Sequence, residues 1–330
     1  MKRHRWLTLF YALCALLAAA SLSLAACGDD DDEGDGGGGG GSDEPAAGQI
    51  ERNEANAKTT ITVGSKNFTE QKVLGEIYAQ GLEAAGYRVR KQLNLGDEQT
   101  ALKAVQGGEI DAYPEYTGTA LGSFFGVDSD QIPKDPDQAF QDAKAGFAEK
   151  GLTAYEPTPF TSSNEVAVTP ETAEEYGLET ISDLSESADQ LVLYGSPECR
   201  QRNDCLLGLQ NVYGLEFKQF RPVDIALRHE VLENGQADVS IVFTTDPQIQ
   251  RNEEVLLEDD EGMFPPYNST LVVRDETVQQ AGEDFPEVIA LLTEGLTAEV
   301  MQELNARVDL DKKTPEEVAG EYLSETGLVP

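Results

Sequence analysis

The sequence predicts an α/β fold in two lobes, and three observations carry that prediction. From Thr59 onward, strand-like runs alternate with amphipathic helical segments, the pattern of largely parallel sheets covered by helices. Two stretches, "GEIDAYPEYTGT" (108–119) and "GQADVSIVFTTD" (235–246), superimpose without gaps, Gly108 on Gly235, Asp111 on Asp238, Tyr116 on Phe243 and Thr117 on Thr244. The length fits as well: of 330 residues, about 27 at the front and about 30 after them read as unlike folded structure, leaving roughly 270 for two cores sharing a cleft.

Taken in order, "MKRHRW" is a basic start, "LTLFYALCALLAAASLSL" an apolar run, and "LAAC" closes it at Cys27. This resembles a bacterial lipoprotein signal (residues 1–27), which implies cleavage before Cys27 and a lipid on its sulfur. Residues 28–58, acidic and glycine-rich, bury too little to offset the entropy of ordering and read as a disordered tether. Such a coil spans on the order of 30 Å. Of the four cysteines, Cys14 leaves with the signal, Cys27 carries lipid, and Cys199 and Cys205 read as one local disulfide in an exported chain. No metal site is expected, since beyond the signal His229 is the one histidine and no further cysteine cluster exists.

After the tether, "TITVG" is a strand and "TEQKVLGEIYAQGLEAAG" a helix, with Thr69 as its N-cap and Gly86 as its stop. "YRVRKQLNL", "EIDAYPEY", "NEVAVTP", "QLVLYG", "FKQF" and "DVSIVFT" follow as strands with helical segments between them, and "FPEVIALLTEGLTAEVMQELNARV" carries a continuous helical period. In open α/β sheets ligands bind beyond the carboxyl ends of strands, so Tyr116 and Phe243 should face one hinged cleft. Thr117 and Thr119, opening the next helix, would offer an anion-holding corner. Apolar content of 39% is ordinary, but the net charge of -37 reads as a solubilising acidic surface and argues against nucleic acid and anionic membrane surfaces as partners.

"GSKNFTEQ" (64–71), "DAYPEYTGT" (111–119), "TTDPQI" (244–249) and "DDEGMFPPYNSTLVVR" (259–274) occur in an order that resembles the substrate-binding lipoproteins of osmoprotectant ABC importers. These bind glycine betaine, proline betaine, carnitine or choline. The resemblance runs from Thr59 to the C-terminus and implies a periplasmic-binding-protein fold of type II, with the ligand between lobes. It places lobe I at 59–161 plus 274–330 and lobe II at 162–273. It implies an aromatic cage for a trimethylammonium head at Tyr116, Phe160, Phe243 and Tyr267, and a carboxylate clamp at Lys66, Thr119 and Arg202. It implies as partners a separate permease and ATPase, membrane attachment through the lipid, and no cofactor.

The chemistry is coherent. A quaternary ammonium has no N–H to donate, so ring faces replace its water, each worth roughly 0.5–2 kcal/mol. Its carboxylate wants fixed donors, a guanidinium fork and a point charge. Choline would leave Lys66 and Arg202 unpaired, which favours a betaine. The alternatives are choline, an amino acid or polyamine held by Glu115 or Asp246, or an exported hydrolase. The last lacks support, because no nucleophile motif is present. Asp246 is expected to cap a helix, and His229 to have no catalytic role.

Overall fold

A computed structural model describes residues 48–330. The expected signal, Cys27 and the tether as far as residue 47 lie outside the described residues.

Two five-stranded sheets are built to one plan. The first holds β1 (Thr60–Gly64), β2 (Arg88–Gln92), β3 (Ala112–Tyr116), β4 (Leu152–Ala154) and β10 (Ser269–Arg274) in the order β2-β1-β3-β10-β4. The second holds β5 (Asn164–Val168), β6 (Val192–Gly195), β7 (Gln219–Pro222), β8 (Val239–Phe243) and β9 (Val255–Leu257) in the order β7-β6-β8-β5-β9. In each, four strands run in one direction, as a largely parallel sheet requires, and one, β10 or β5, is inserted antiparallel between two of them. The reason is the crossing. β5 and β10 are the first strands after the chain changes sheets, and each enters against the direction of its neighbours.

The sequence echo maps onto this plan. β3 and β8 occupy the same third place, and the carboxylates of Asp111 and Asp238 each accept an amide of the neighbouring strand, from Thr62 at 2.8 Å and Val192 at 2.7 Å. Tyr116 and Phe243 end these strands.

Three expectations need correction. Residues 50–58 are part of the folded body. The Ile50 amide donates to the Leu328 carbonyl, a short helical turn runs over Glu54–Lys58, and Asn53 and Asn56 both donate to Asp284. Polar composition concealed that these asparagines serve as caps and ties. Residues 269–273 do not belong with the second sheet, because Ser269–Arg274 pairs with β3 and β4. The chain therefore returns before Ser269. The long C-terminal helical run is broken by "GLT", where Thr297 caps a new helix through its hydroxyl.

Helix α1 (Thr69–Ala84) covers the first sheet with Val73, Leu74, Ile77, Tyr78 and Leu82 fully buried. Gly86, two residues past it, has φ +99, and a Cβ there would lie 2.5 Å from the Asn53 carbonyl oxygen, so glycine is required. Thr69 is not the N-cap. Phe68 holds that position and the Thr69 hydroxyl donates to Asp309 at 2.6 Å. Helices α2 (Glu98–Gly107) and α3 (Pro136–Ala148) follow, then α4 (Pro170–Tyr176), α5 (Leu206–Asn211), α6 (Arg228–Glu233) and α7 (Pro247–Arg251) around the second sheet. Helices α8 (Asp275–Ala281), α9 (Phe285–Glu294), α10 (Ala298–Asp309) and α11 (Pro315–Glu325) close the chain, the last three packing on α1.

The two crossings lie side by side. Thr161 and Asn268 form an antiparallel bridge, and the Ser162 amide donates to the Tyr267 carbonyl at 3.1 Å. Among the described residues no helix is long and apolar enough to cross a membrane.

Candidate functional site

The carboxyl ends of the parallel strands in both sheets face a common cleft. Lys66, Phe68, Tyr116 and Thr119 line it from one side, Arg202, Arg228 and Phe243 from the other, and Tyr267 from the return crossing. About 70 Å³ is free. One water needs about 10–15 Å³ on this measure, so the cleft holds a solute displacing on the order of five waters.

The rings meet because the strand ends meet. Phe68, in the turn between β1 and α1, stacks on Tyr116 with centroids 6.2 Å apart and planes 20° apart. It reaches Phe243 of the other sheet at 5.3 Å. Tyr267 lies against the same space, its hydroxyl donating to Asp204 and accepting from the Asn164 amide at 3.3 Å. The Tyr116 hydroxyl donates to Glu70 at 2.5 Å. Burial and then the facing carboxylate push both phenols well above their ordinary range, so both remain donors.

Phe160 is not among these rings. It is 1% exposed, packs in the main core beside the crossings, and does not line the cleft. Its backbone is fixed by its amide, which donates to the Leu296 carbonyl, and by the Asn268 side chain, which donates to its own carbonyl. Phe68 is the fourth aromatic side chain lining the cleft. Its signal was on the page, in "SKNF", two positions after Lys66.

The basic side chains are engaged within the protein. Lys66 pairs with the fully buried Glu115, and its ammonium lies 4.5 Å from the Tyr116 ring centre and 5.9 Å from that of Phe68. Burial raises the Glu115 carboxyl above its usual range, against the pull of Lys66. Arg202 donates from Nε to Asp204 at 2.7 Å and reaches across the cleft to the Thr119 hydroxyl and Glu98, each at 3.5 Å. Burial alone would raise Asp204, but the guanidinium holds it below the ordinary carboxylate range. Cys199 and Cys205 are bonded, closing the loop that carries Arg202 and Asp204. Choline would therefore leave neither cation unpaired, and the charge argument against it falls.

Arg228 is a third basic residue in the cleft, and nothing in its sequence context marked it. Its guanidinium carbon lies 4.2 Å from the Phe243 ring centre, held by Asp246 with Nε at 2.9 Å. Asp246 stands at the N-cap of α7, yet its side chain does not cap it. The carboxylate takes Arg228, His229 at 2.9 Å and the Phe243 amide at 2.8 Å. Burial would depress His229, but Asp246 and Glu254 on either side raise its imidazole above its usual value. Glu115 and Asp246, the carboxylates an amino-acid or polyamine ligand would need, are thus both committed to cations.

The expected anion corner shrinks to Thr119. The Thr117 amide donates to the Asn268 carbonyl at 3.1 Å and its hydroxyl to that of Pro266 at 3.0 Å.

Residues 59–325 match the family described as the substrate-binding domain of the ABC-type glycine betaine transport system. The chain belongs to that family. It is 33% identical over 281 residues to a glycine-betaine-binding protein of Pseudomonas aeruginosa, covering 82% of this chain and 89% of that one. It is 30% identical over 272 residues to a carnitine transport binding protein of Listeria monocytogenes, covering 81% and 87%. A solved structure described as a glycine betaine/carnitine/choline ABC transporter superimposes with a TM-score of 0.66 at 27% identity, covering 81% of this chain and 99% of that one. The chain is thus a substrate-binding protein of the osmoprotectant ABC importer class, with the two-lobed fold of that class.

Proposed function

We propose that this chain captures a small quaternary-ammonium solute, glycine betaine or proline betaine, outside the cytoplasm and presents it to a membrane permease driven by a separate ATPase. The observation that carries the reading is the meeting of rings from opposite sheets, Tyr116 and Phe68 with Phe243, and Tyr267 beside them. A methylated cation among four ring faces exchanges weakly held water for π-density. Lys66, Thr119 and Arg202 stand along the same cleft and would receive the carboxylate. No covalent step is involved. Closing the lobes on the ligand shifts the population toward the form the permease recognises. Lipid on Cys27 and the segment as far as residue 47 would keep the receptor at the membrane, and its acidic surface leaves nucleic acid aside as a partner.

Choline is the second reading, and the internal pairing of Lys66 and Arg202 favours it. Isothermal titration with glycine betaine, proline betaine, carnitine and choline decides between them. Binding of a betaine, weakened by Phe243→Ala, supports the first reading. Tight binding of choline with none of glycine betaine moves the assignment to the second, and binding of none removes the cage.

A further inference from the structure

One buried acidic group behind the cage has no cationic partner. Glu70, in the first turn of α1, is 3% exposed. Its Oε1 accepts the Tyr116 hydroxyl at 2.5 Å and its Oε2 the Asn305 side-chain amide at 3.1 Å. Four other buried carboxylates around the cleft each pair with a cation: Glu115 with Lys66, Asp204 and Glu98 with Arg202, and Asp246 with Arg228 and His229. Among the described residues no ion pair reaches Glu70. A carboxylate withdrawn from water without a counter-charge is costly, and the ring it holds faces the cleft.

Resting on the cage reading above, we propose that Glu70 is the group through which the Tyr116 wall senses the charge of the ligand, the solute's cation being the counter-charge that the chain does not provide. Lys66 stands near the same ring but is already matched by Glu115, so one carboxylate stays in excess there. The phenol hydrogen bond also pushes electron density into the ring, strengthening the face that a cation meets.

The surroundings fix the direction of the coupling. Facing Glu70 are neutral groups from four elements: Tyr116 of β3, Ser162 of the first crossing, Thr245 beyond β8 and Asn305 of α10. Charged side chains share with Glu70 the lining of a small chamber behind Phe68: Lys72, which makes no ion pair with it, and Arg228, His229, Asp246 and Asp309. Of these, Arg228 and His229 are spent on Asp246, while Asp309 takes Thr69 and Gln248. Burial raises the Glu70 carboxyl above its ordinary range, only partly offset by its hydrogen bonds. A cation on the cleft side of Tyr116 favours the ionised form and lowers that value, so binding expels a proton. Affinity for a cation then rises with pH until the raised value of the empty receptor is passed, and is level above it.

Calorimetric titration of the purified protein tests this, using glycine betaine and choline beside their carbon isosteres, tert-butylacetate and dimethylbutanol. The result expected is a proton released by the wild type on binding the quaternary solute, counted in buffers of different ionisation enthalpy. Glu70→Gln, which keeps an acceptor for Tyr116, should abolish that release and weaken the cations by about tenfold, leaving the carbon isosteres unchanged. Equal weakening of cation and isostere would overturn the proposal, because Glu70 would then only position the ring. An unchanged affinity and pH profile would also overturn it. Should the variant fail to fold, the wild-type proton count decides alone. A wild type that binds no quaternary solute removes both the cage and this role.

Discussion

Exchanging one phenylalanine for alanine at two positions separates a binding ring from a core ring. Phe68 and Phe160 are alike in chemistry but placed differently. Phe68 is partly buried, touches Tyr116 at 6.2 Å and Phe243 at 5.3 Å, and borders the cleft. Phe160 is 1% exposed and turned into the core. Phe68→Ala removes one cation–π face, worth about 1–2 kcal/mol when desolvated, and so should weaken quaternary ligands by roughly five- to thirtyfold. It also frees the neighbouring rings to relax, which adds to the loss. Phe160→Ala leaves a cavity in a close-packed site and should cost about 3–5 kcal/mol of stability, with the affinity of the folded protein nearly untouched. Titration calorimetry reads the first effect and urea denaturation the second. If Phe160→Ala abolished binding while stability held, and Phe68→Ala left affinity intact, the assignment of the two rings would be reversed.

Glu165 offers a pH test of stability. Burial, with Asp259 nearby, raises its carboxyl from 4.5 to about 7. Because the folded value lies above the unfolded one, its contribution is fully present below pH 4.5 and is lost as pH rises through about 7. Glu165→Gln should recover roughly 2 kcal/mol at about pH 8 and nothing near pH 4, read from urea midpoints. Gly118 lies under the segment that carries Tyr267; a Cβ there would lie 2.7 Å from the Pro266 carbonyl oxygen and 3.2 Å from Tyr267 Cδ1. Gly118→Ala should displace that ring and weaken ligand binding roughly tenfold or more, with far-UV circular dichroism unchanged. Replacing Cys199 and Cys205 by serine opens a short loop, costs about 2 kcal/mol by loop entropy, and should weaken ligands that engage Arg202 more than those that do not. Equal losses for both ligand types would detach that loop from recognition.

Much of this architecture could be read from residue order, and the exceptions have physical causes. β1, β3, β5, β6 and β8 announced themselves by apolar runs set off by turns, β2 and β7 were read from the short stretches "YRVRKQLNL" and "FKQF", and the repeated glycine–aspartate–aromatic pattern located both central strands. β4 and β9 are three residues each, too short to carry a period. The break at Gly295–Thr297 lay inside an unbroken helical pattern, where one threonine cap outweighed periodicity. In the cleft, Tyr116 and Phe243 followed from their strand ends. Arg228 and Glu70 could not, since what makes them matter is a contact at long range: Arg228 with Phe243, and Glu70 with Tyr116 and Asn305. Phe160 shows the opposite error. An aromatic residue near a proline in a motif-like stretch says nothing of which way its ring turns. The pairing of Lys66 with Glu115, 49 positions apart, was hidden because they meet only in the folded chain, whereas Asp204 stood two residues from Arg202 in "CRQRNDC" and was there to be read.

The bond from Ile50 to Leu328 means that both ends of the described chain emerge at one spot. A reporter or affinity label joined after Pro330 would sit next to whatever precedes Gly48, while the ligand cleft is walled by other segments. The same closeness invites a circularly permuted receptor, with old termini fused by a short linker and new ones opened in a surface loop. In such a rearranged chain, opened near the second sheet, closure of the lobes proposed above would be read as a change of distance between its new ends.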